Sequence, residues 1–254
     1  MKKPVIAITV ADKNNEKYAG MLERSFKHFH PDIPFKAITG ADLEIYTKDD
    51  PHFFYRQKPI IGEQYLSEYD CVLGLDADQI VLGDLSYIWE TKDYDVGCVL
   101  NFNQPDAERY GIIQGWGIHP VEYVNCGLVA MRSLKFVHNW KVWCYSNQFE
   151  RLQYREQDGL NALVYHGNWN VRIFDHGDGP AKMAAFWGLF GKTYWPKAVL
   201  KDKKVIIPKN DTGIPKVDTE LKVIHWGGGN IGNKLNYRVF FNEEVSDFID
   251  TVIK

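Results

Sequence analysis

The order of apolar and polar positions divides the chain into alternating strand-like and helical stretches. Residues 5–10 form a continuous apolar run of the length of a buried strand. Tyr18, Met21, Leu22, Ser25, Phe26 and Phe29 then recur at the spacing that lines one face of an α-helix, and His30-Pro31-Asp32 ends it. Residues 35–39 predict a second strand, 59–66 a helix with proline in its first turn, and 71–75 a short buried strand. Residues 96–102 and 125–131 read as further strands, 134–149 as a long aromatic helix, 156–165 as a helix and 171–174 as a strand. Val245, Phe248, Ile249 and Val252 mark a closing helix for which Asn242 supplies a cap. Strands that alternate with helices predict an α/β fold with a mostly parallel sheet. Two segments break this rhythm: 103–122, and the glycine-rich 175–196 with its cluster Phe186-Trp187-Gly188-Leu189-Phe190. Both are expected to be long loops, which are uncommon in compact domains unless functional.

Composition narrows the field. With 254 residues, 45% hydrophobic and 25% charged, the chain is an ordinary globular protein of one to two domains at roughly 150 residues each. A net charge of −3 argues against bulk nucleic-acid binding, which wants a basic domain, but leaves room for a local phosphate pocket. No apolar run approaches the ~20 residues of a membrane span. The opening Met1-Lys2-Lys3 followed by apolar residues imitates a secretory leader. Pro4 and the lack of a small-residue cleavage site before Asp12 favour a first strand instead. Cys71, Cys98, Cys126 and Cys144 are widely spaced with no CxxC pair, as expected of buried reduced thiols in a cytoplasmic protein. The aromatic fraction, 14%, is high.

Chemistry concentrates where an apolar strand runs into acids, at Leu75-Asp76-Ala77-Asp78. In extended backbone, residues two apart point to the same side, so Asp76 and Asp78 would converge at the carboxyl edge of the sheet, where open α/β sheets bind ligands. Two close carboxylates repel, and a divalent cation, Mg²⁺ or Mn²⁺, would relieve that repulsion. Glu156-Gln157-Asp158 opens a helix, where acids suit the N-terminal dipole in any case. His225 follows an apolar strand and precedes Trp226 and three glycines, among them Gly228; it would serve as a metal ligand or as an ordinary hydrogen-bonding residue. Lys234 lies just beyond and would meet a phosphate as a point charge.

Taken in order, these strings resemble the nucleotide-diphospho-sugar transferases of the GT-A fold, and most closely glycosyltransferase family 8, which includes glycogenin and bacterial lipopolysaccharide sugar transferases. Thr9-Val10-Ala11-Asp12, with Asn14 and Tyr18, resembles the first-strand segment that holds base and ribose. Arg56 and Lys58 stand where the family has a basic residue near the donor, upstream of the metal motif. Asp76-Ala77-Asp78 with Val81-Leu82-Gly83-Asp84-Leu85 resembles that motif and its continuation. Val124-Asn125-Cys126-Gly127 is similar to a string whose Asn faces the donor sugar, and Glu156-Gln157-Asp158-Gly159-Leu160-Asn161 to the family's Asp-Gln-Asp-x-Leu-Asn. His225-Trp226-Gly227-Gly228 resembles the string that supplies the third metal ligand. Two departures stand out. Lys234 comes later than the family's lysine, and Glu156 replaces the usual Asp, which leaves Gln157 and Asp158 as the better-supported donor-sugar contacts.

The resemblance implies a GT-A (Rossmann-like) domain over residues 1–254, with a nucleotide-binding half, about 1–102, and a half for donor sugar and acceptor, about 103–254. It implies transfer of a sugar from a nucleotide diphosphate, a uridine one by preference, to an acceptor hydroxyl, with retention at the anomeric carbon. Asp76, Asp78 and His225 would hold Mn²⁺ or Mg²⁺. Arg56, Lys58 or Lys234 would add positive charge at the diphosphate, and Thr9 and Asp12 would fix the nucleoside. The acceptor is expected to be a glycan, a lipid-linked sugar or a protein, with no nucleic acid and no stable membrane anchor. Trp116, Trp187, Phe190, Tyr194 and Trp195 fall in the two rhythm-breaking segments and are expected to wall the acceptor. Three other classes compete: a nucleotidyltransferase, which the string Ala11-Asp12-Lys13-Asn14-Asn15 fits poorly, a non-catalytic nucleotide-sugar-binding module, and an unrelated α/β metal hydrolase.

Overall fold

The computed structural model describes residues 3–50, 52–100, 117–118, 122–147, 152, 154–174, 185–186, 197–209, 217–225 and 237–254. The central sheet is built from β1 (Ile6–Val10), β2 (Phe35–Ile38), β3 (Val72–Asp76), β5 (Val96–Leu100), β6 (Val124–Met131) and β7 (Val171–Ile173), in the order β2-β1-β3-β6-β5-β7. β1 pairs parallel with β2 and β3, and β5 parallel with β7; β6 alone runs antiparallel to both of its neighbours. The sheet is therefore mostly parallel, as the alternation of elements predicts. Strand β4 (Gln79–Val81) leaves this sheet and pairs antiparallel with β12 (Val223–His225), which in turn pairs parallel with the two-residue β8 (Ala185–Phe186). A third sheet holds β9 (Val199–Lys201), β10 (Lys204–Ile207) and β11 (Thr219–Glu220).

Alternation along the strands explains how both faces are covered. Ile6, Ile8 and Val10 point into one apolar cluster, with Ile61 of α3 (Gln57–Tyr65), Phe136, Val137 and Trp140 of α5 (Leu134–Cys144) and Leu160 of α6 (Glu156–His166). Val5 and Ala7 point the other way, to Leu22 and Phe26 of α1 (Glu16–Phe29) and Ile88 of α4 (Ser86–Glu90). A third cluster packs β4, β10 and β12 against α7 (Glu243–Ile253), whose N-cap is Asn242: its Oδ1 accepts from the Val245 N–H at 3.0 Å.

β6 breaks the alternation. Val124 and Cys126 share a cluster with Val129 and Met131, so the inward parity switches from even to odd along one strand. The pairing with β5 records the same event: Cys98 opposes Val129 but Val99 opposes Asn125. Such a bulge re-aims the side chains beside it, and here it lies at Asn125-Cys126-Gly127.

Several expectations are refined. The helix expected over 134–149 ends at Cys144, where Arg56 Nε donates to the Cys144 carbonyl at 2.9 Å. That bond satisfies a terminal carbonyl from outside the helix. Helix α2 (Gly40–Thr47) and the short α4 carry too weak a periodic pattern to be foreseen. The loop expected over 175–196 contains β8. All four cysteines are buried and free of disulfides. No helix among the described residues is long and apolar enough to cross a membrane. Gly228, Lys234 and the aromatic wall of Trp116, Trp187, Phe190, Tyr194 and Trp195 lie outside the described residues.

Candidate active site

Asp76 is the last residue of β3 and stands at its carboxyl end. Asp78 does not follow it in extended backbone, as the alternation argument supposed. The chain turns at Ala77-Asp78 before β4 begins. The turn still brings the carboxylates together, and the pairing of β4 with β12 adds His225, whose Nε2 lies 3.4 Å from Asp76 Oδ2 and 3.0 Å from Asp78 Oδ1. One ligand atom from each of the three lies within 4.8 Å of the others. Two carboxylates and an imidazole form a donor set able to hold a divalent cation. His225 and Asp78 are buried, whereas the Asp76 side chain keeps 30% of its surface, so the cluster is open on one side. The residues present thus fit a divalent cation. Burial disfavours a charged His225, yet the facing Asp78 and Asp76 outweigh it and lift its pKa to about 9.

Lys58 links this cluster to the next. Its Nζ lies 2.6 Å from Asp76 Oδ1 and 3.3 Å from Glu156 Oε1, and the residue is 5% exposed. Burial alone would lower its pKa, but Asp76, Cys126 and Glu156 hold it well above the usual lysine range. Burial pushes Asp76 up, and Lys58 and then His225 more than reverse this, leaving it well below the usual carboxylate range. Glu156 goes the other way: burial raises it, Lys58 opposes, and Asp76 adds to the rise. Glu156 Oε2 is buried with no hydrogen-bond partner among the described residues. A cavity of about 300 Å³ opens on this group, with Phe54, Tyr55, Lys58, Asp76, Arg155 and Gln157 in its wall.

The first turn of α6 is tied to the bulged start of β6. Gln157 Oε1 accepts from Asn125 Nδ2 at 2.7 Å and from the Cys126 N–H at 3.0 Å. Asn161 accepts from the Val124 N–H at 2.7 Å and donates to the Val124 carbonyl at 2.9 Å. Asp158 is turned away from the cavity wall: it accepts from Tyr123 Oη at 2.6 Å and from the Tyr154 N–H at 2.8 Å. Arg155, just before the helix, sits at φ +50°, an uncommon conformation for a residue with a side chain.

The first-strand residues stand at the same edge of the sheet. Thr9 is buried near the end of β1, and its Oγ1 has no partner among the described residues. Ala11 N donates to the Ile38 carbonyl at 3.1 Å. Asp12 Oδ1 accepts from the Asn14 and Asn15 N–H groups at 3.1 and 3.0 Å, shaping the turn into α1. Tyr18 is buried in α1 beneath Lys17 Nζ, 4.7 Å from its ring centre. Arg56 is directed elsewhere, to Asp50 at 3.0 Å, the Cys144 carbonyl and the Tyr145 ring. Of the two basic residues upstream of the carboxylates, Lys58 is therefore the one in the cluster. The Lys58–Glu156 contact joins residues 98 apart and left no trace in the sequence. Gln79 did leave one: a lone amide directly before the apolar Ile80-Val81-Leu82.

No protein-family model and no curated protein matches the sequence. Solved structures do. The galactosyltransferase LgtC, in complex with donor and acceptor sugar analogues, superposes with a TM-score of 0.62 over 97% of this chain and 95% of its own, at 18% identity. The chain adopts the GT-A glycosyltransferase fold. An active-site mutant of LgtC superposes with a TM-score of 0.60 at 16% identity, again over 97% of this chain and 95% of its own. The bifunctional glycosyltransferase WbbM gives 0.56 at 14% identity over 91% of this chain, which spans 47% of WbbM. The fold expected from the resemblance is thus the fold observed, and within it the Asp76, Asp78 and His225 cluster closes the carboxyl edge of β3.

Proposed function

We propose that this protein is a metal-dependent glycosyltransferase that moves a sugar from a nucleotide diphosphate, a uridine one by preference, to an acceptor hydroxyl with retention. The observation that carries this reading is the convergence of Asp76, Asp78 and His225 beside a cavity that shares Asp76 with them and has Lys58 in its wall. Mn²⁺ or Mg²⁺ held by the three side chains would offset charge on the departing diphosphate. Thr9, Ala11, Asp12 and Tyr18 would receive the nucleoside, and the half of the chain up to about residue 102 is its platform. Lys58 keeps Asp76 ionised and adds a fixed cation at the edge of the cavity. Asn125 and Gln157, locked to each other at 2.7 Å, present a pre-organised polar rim to the donor sugar. Glu156 is the carboxylate that faces that sugar, because Asp158 is occupied by Tyr123 and Tyr154.

A panel of nucleotide-diphosphate sugars, incubated with Mn²⁺ and read by release of nucleoside diphosphate, tests the reading. Turnover is expected with at least one donor, lost in EDTA and lost in Asp78→Ala. Normal turnover in Asp78→Ala would sink the metal role. Pyrophosphate release from a nucleoside triphosphate, with no sugar donor consumed, would replace the proposal with a nucleotidyltransferase.

A further inference from the structure

Gln79 has no role in the reading above, yet it stands beside both parts of the site. It opens β4 directly after Asp78 and is 1% exposed. Antiparallel pairing sets it opposite His225 of β12, so the two side chains leave the same face of the sheet. Gln79 Nε2 donates to the Gly127 carbonyl at 2.9 Å. A carbonyl only accepts, so this bond fixes which way round the amide sits. Gln79 Oε1 is then buried with no hydrogen-bond partner among the described residues.

Gly127 is the surface on which the His225 ring rests. A Cβ added there would lie 2.0 Å from His225 Cε1 and 2.6 Å from Nδ1, so any side chain at 127 must displace the ring. Gly127 also falls between the paired stretches of β6, at the bulge, and has no cross-strand partner there. Side chains hold it instead. Asn125 Oδ1 accepts from its N–H at 2.6 Å, and Gln79 takes its carbonyl. One residue without a side chain is thereby pinned from the sugar side by Asn125 and from the metal side by Gln79.

We propose that Gln79 is a positioning residue for His225, acting through Gly127. Its amide holds the Gly127 backbone against the imidazole, and the ring so held keeps Nε2 toward Asp76 and Asp78. Groups that orient a ligating imidazole are an integral part of a metal site. This inference rests on the metal role proposed for Asp76, Asp78 and His225.

Gln79→Met keeps the length of the side chain and removes the amide. Mn²⁺ affinity is measured without donor, from the electron paramagnetic resonance signal of free Mn²⁺, beside the melting temperature of the metal-free protein. Affinity is expected to weaken about 10–100-fold, with the metal-free melting temperature within about 3 °C of wild type, because the substitution strands the Gly127 carbonyl but also removes Gln79 Oε1, which is buried without a partner among the described residues. Gly127→Ala, which pushes directly on the ring, is expected to weaken Mn²⁺ at least as much. Wild-type affinity in Gln79→Met, when Asp78→Ala has lost Mn²⁺, overturns the positioning role alone. Wild-type affinity in Asp78→Ala overturns the metal reading beneath it. A Gln79→Met protein that fails to fold, or whose affinity falls only along with a large drop in metal-free melting temperature, marks Gln79 as a packing residue and also overturns the proposal.

Discussion

Lys58→Met is the sharpest test of the electrostatics that join the metal cluster to the cavity. The lysine is 5% exposed and its ammonium serves two carboxylates, Asp76 at 2.6 Å and Glu156 at 3.3 Å. Methionine matches the stem in length and leaves both carboxylates without that cation. Removing one partner of a buried ion pair costs about 3–5 kcal/mol. The Asp76 side chain keeps 30% of its surface, where water relieves part of the penalty, so the lower end of that range applies, about 3 kcal/mol. For a domain of this size that corresponds to a fall of about 6–12 °C in melting temperature.

The sign of the pH dependence follows from linkage. In the wild type Asp76 titrates below its unfolded value, so its contribution is present above about pH 3.9 and is lost on acidification through the folded pKa. In Lys58→Met, desolvation acts unopposed by the lysine, and Asp76 and Glu156 both move up. The native variant then binds more protons than its unfolded chain and loses stability as pH rises. The wild-type Lys58–Asp76 pair is still ionised at pH 4 while the variant's raised carboxylates take up protons there, so the difference between wild type and variant is expected to be smaller near pH 4 than at pH 7.5. Guanidinium unfolding in EDTA, followed by tryptophan fluorescence, reads it at both pH values. A difference below 1 kcal/mol at pH 7.5, or one that does not shrink toward pH 4, would refute the reasoning.

Two further outcomes are expected. His30 is buried, and its Nε2 accepts from the Leu85 N–H at 3.0 Å, which needs the neutral ring. Burial lowers its pKa from 6.5 to about 4, so the unfolded chain takes the proton first and stability is lost as pH falls through that window. At 1.36 kcal/mol per unit this amounts to about 3 kcal/mol; wild type and His30→Gln compared at pH 7 and pH 4 should differ by that amount in their acid sensitivity, and equal sensitivity would sink the assignment. Asn161→Ala strands the buried N–H and carbonyl of Val124. It should cost about 2–6 kcal/mol in chemical denaturation at 1–3 kcal/mol per unpaired group, and an unchanged midpoint would mean that water replaces the amide.

The sequence on its own determined the strands of the central sheet and its longer helices, because burial writes a period on the chain. Ile6, Ile8 and Val10 against Val5 and Ala7 already divide into two faces, and Glu16–Phe29 carries the spacing of a helix. It also determined which residues could carry chemistry: Asp76 and Asp78 stand where an apolar strand ends, and Asn125, Gln157 and His225 stand in strings ordered as in a known family. Only the tertiary structure decided how these are used. The reversed β6, the bulge at Asn125-Cys126-Gly127 and the departure of β4 to pair with β12 depend on contacts between residues far apart in the chain, for which local pattern carries no term. The same holds for the division of labour among like residues. Lys58 enters the cluster while Arg56 caps α5, and Glu156 faces the cavity while Asp158 is held by Tyr123. Two residue types that are equivalent in a sequence string become different once desolvation and a particular partner act on each, and partners are chosen by the fold.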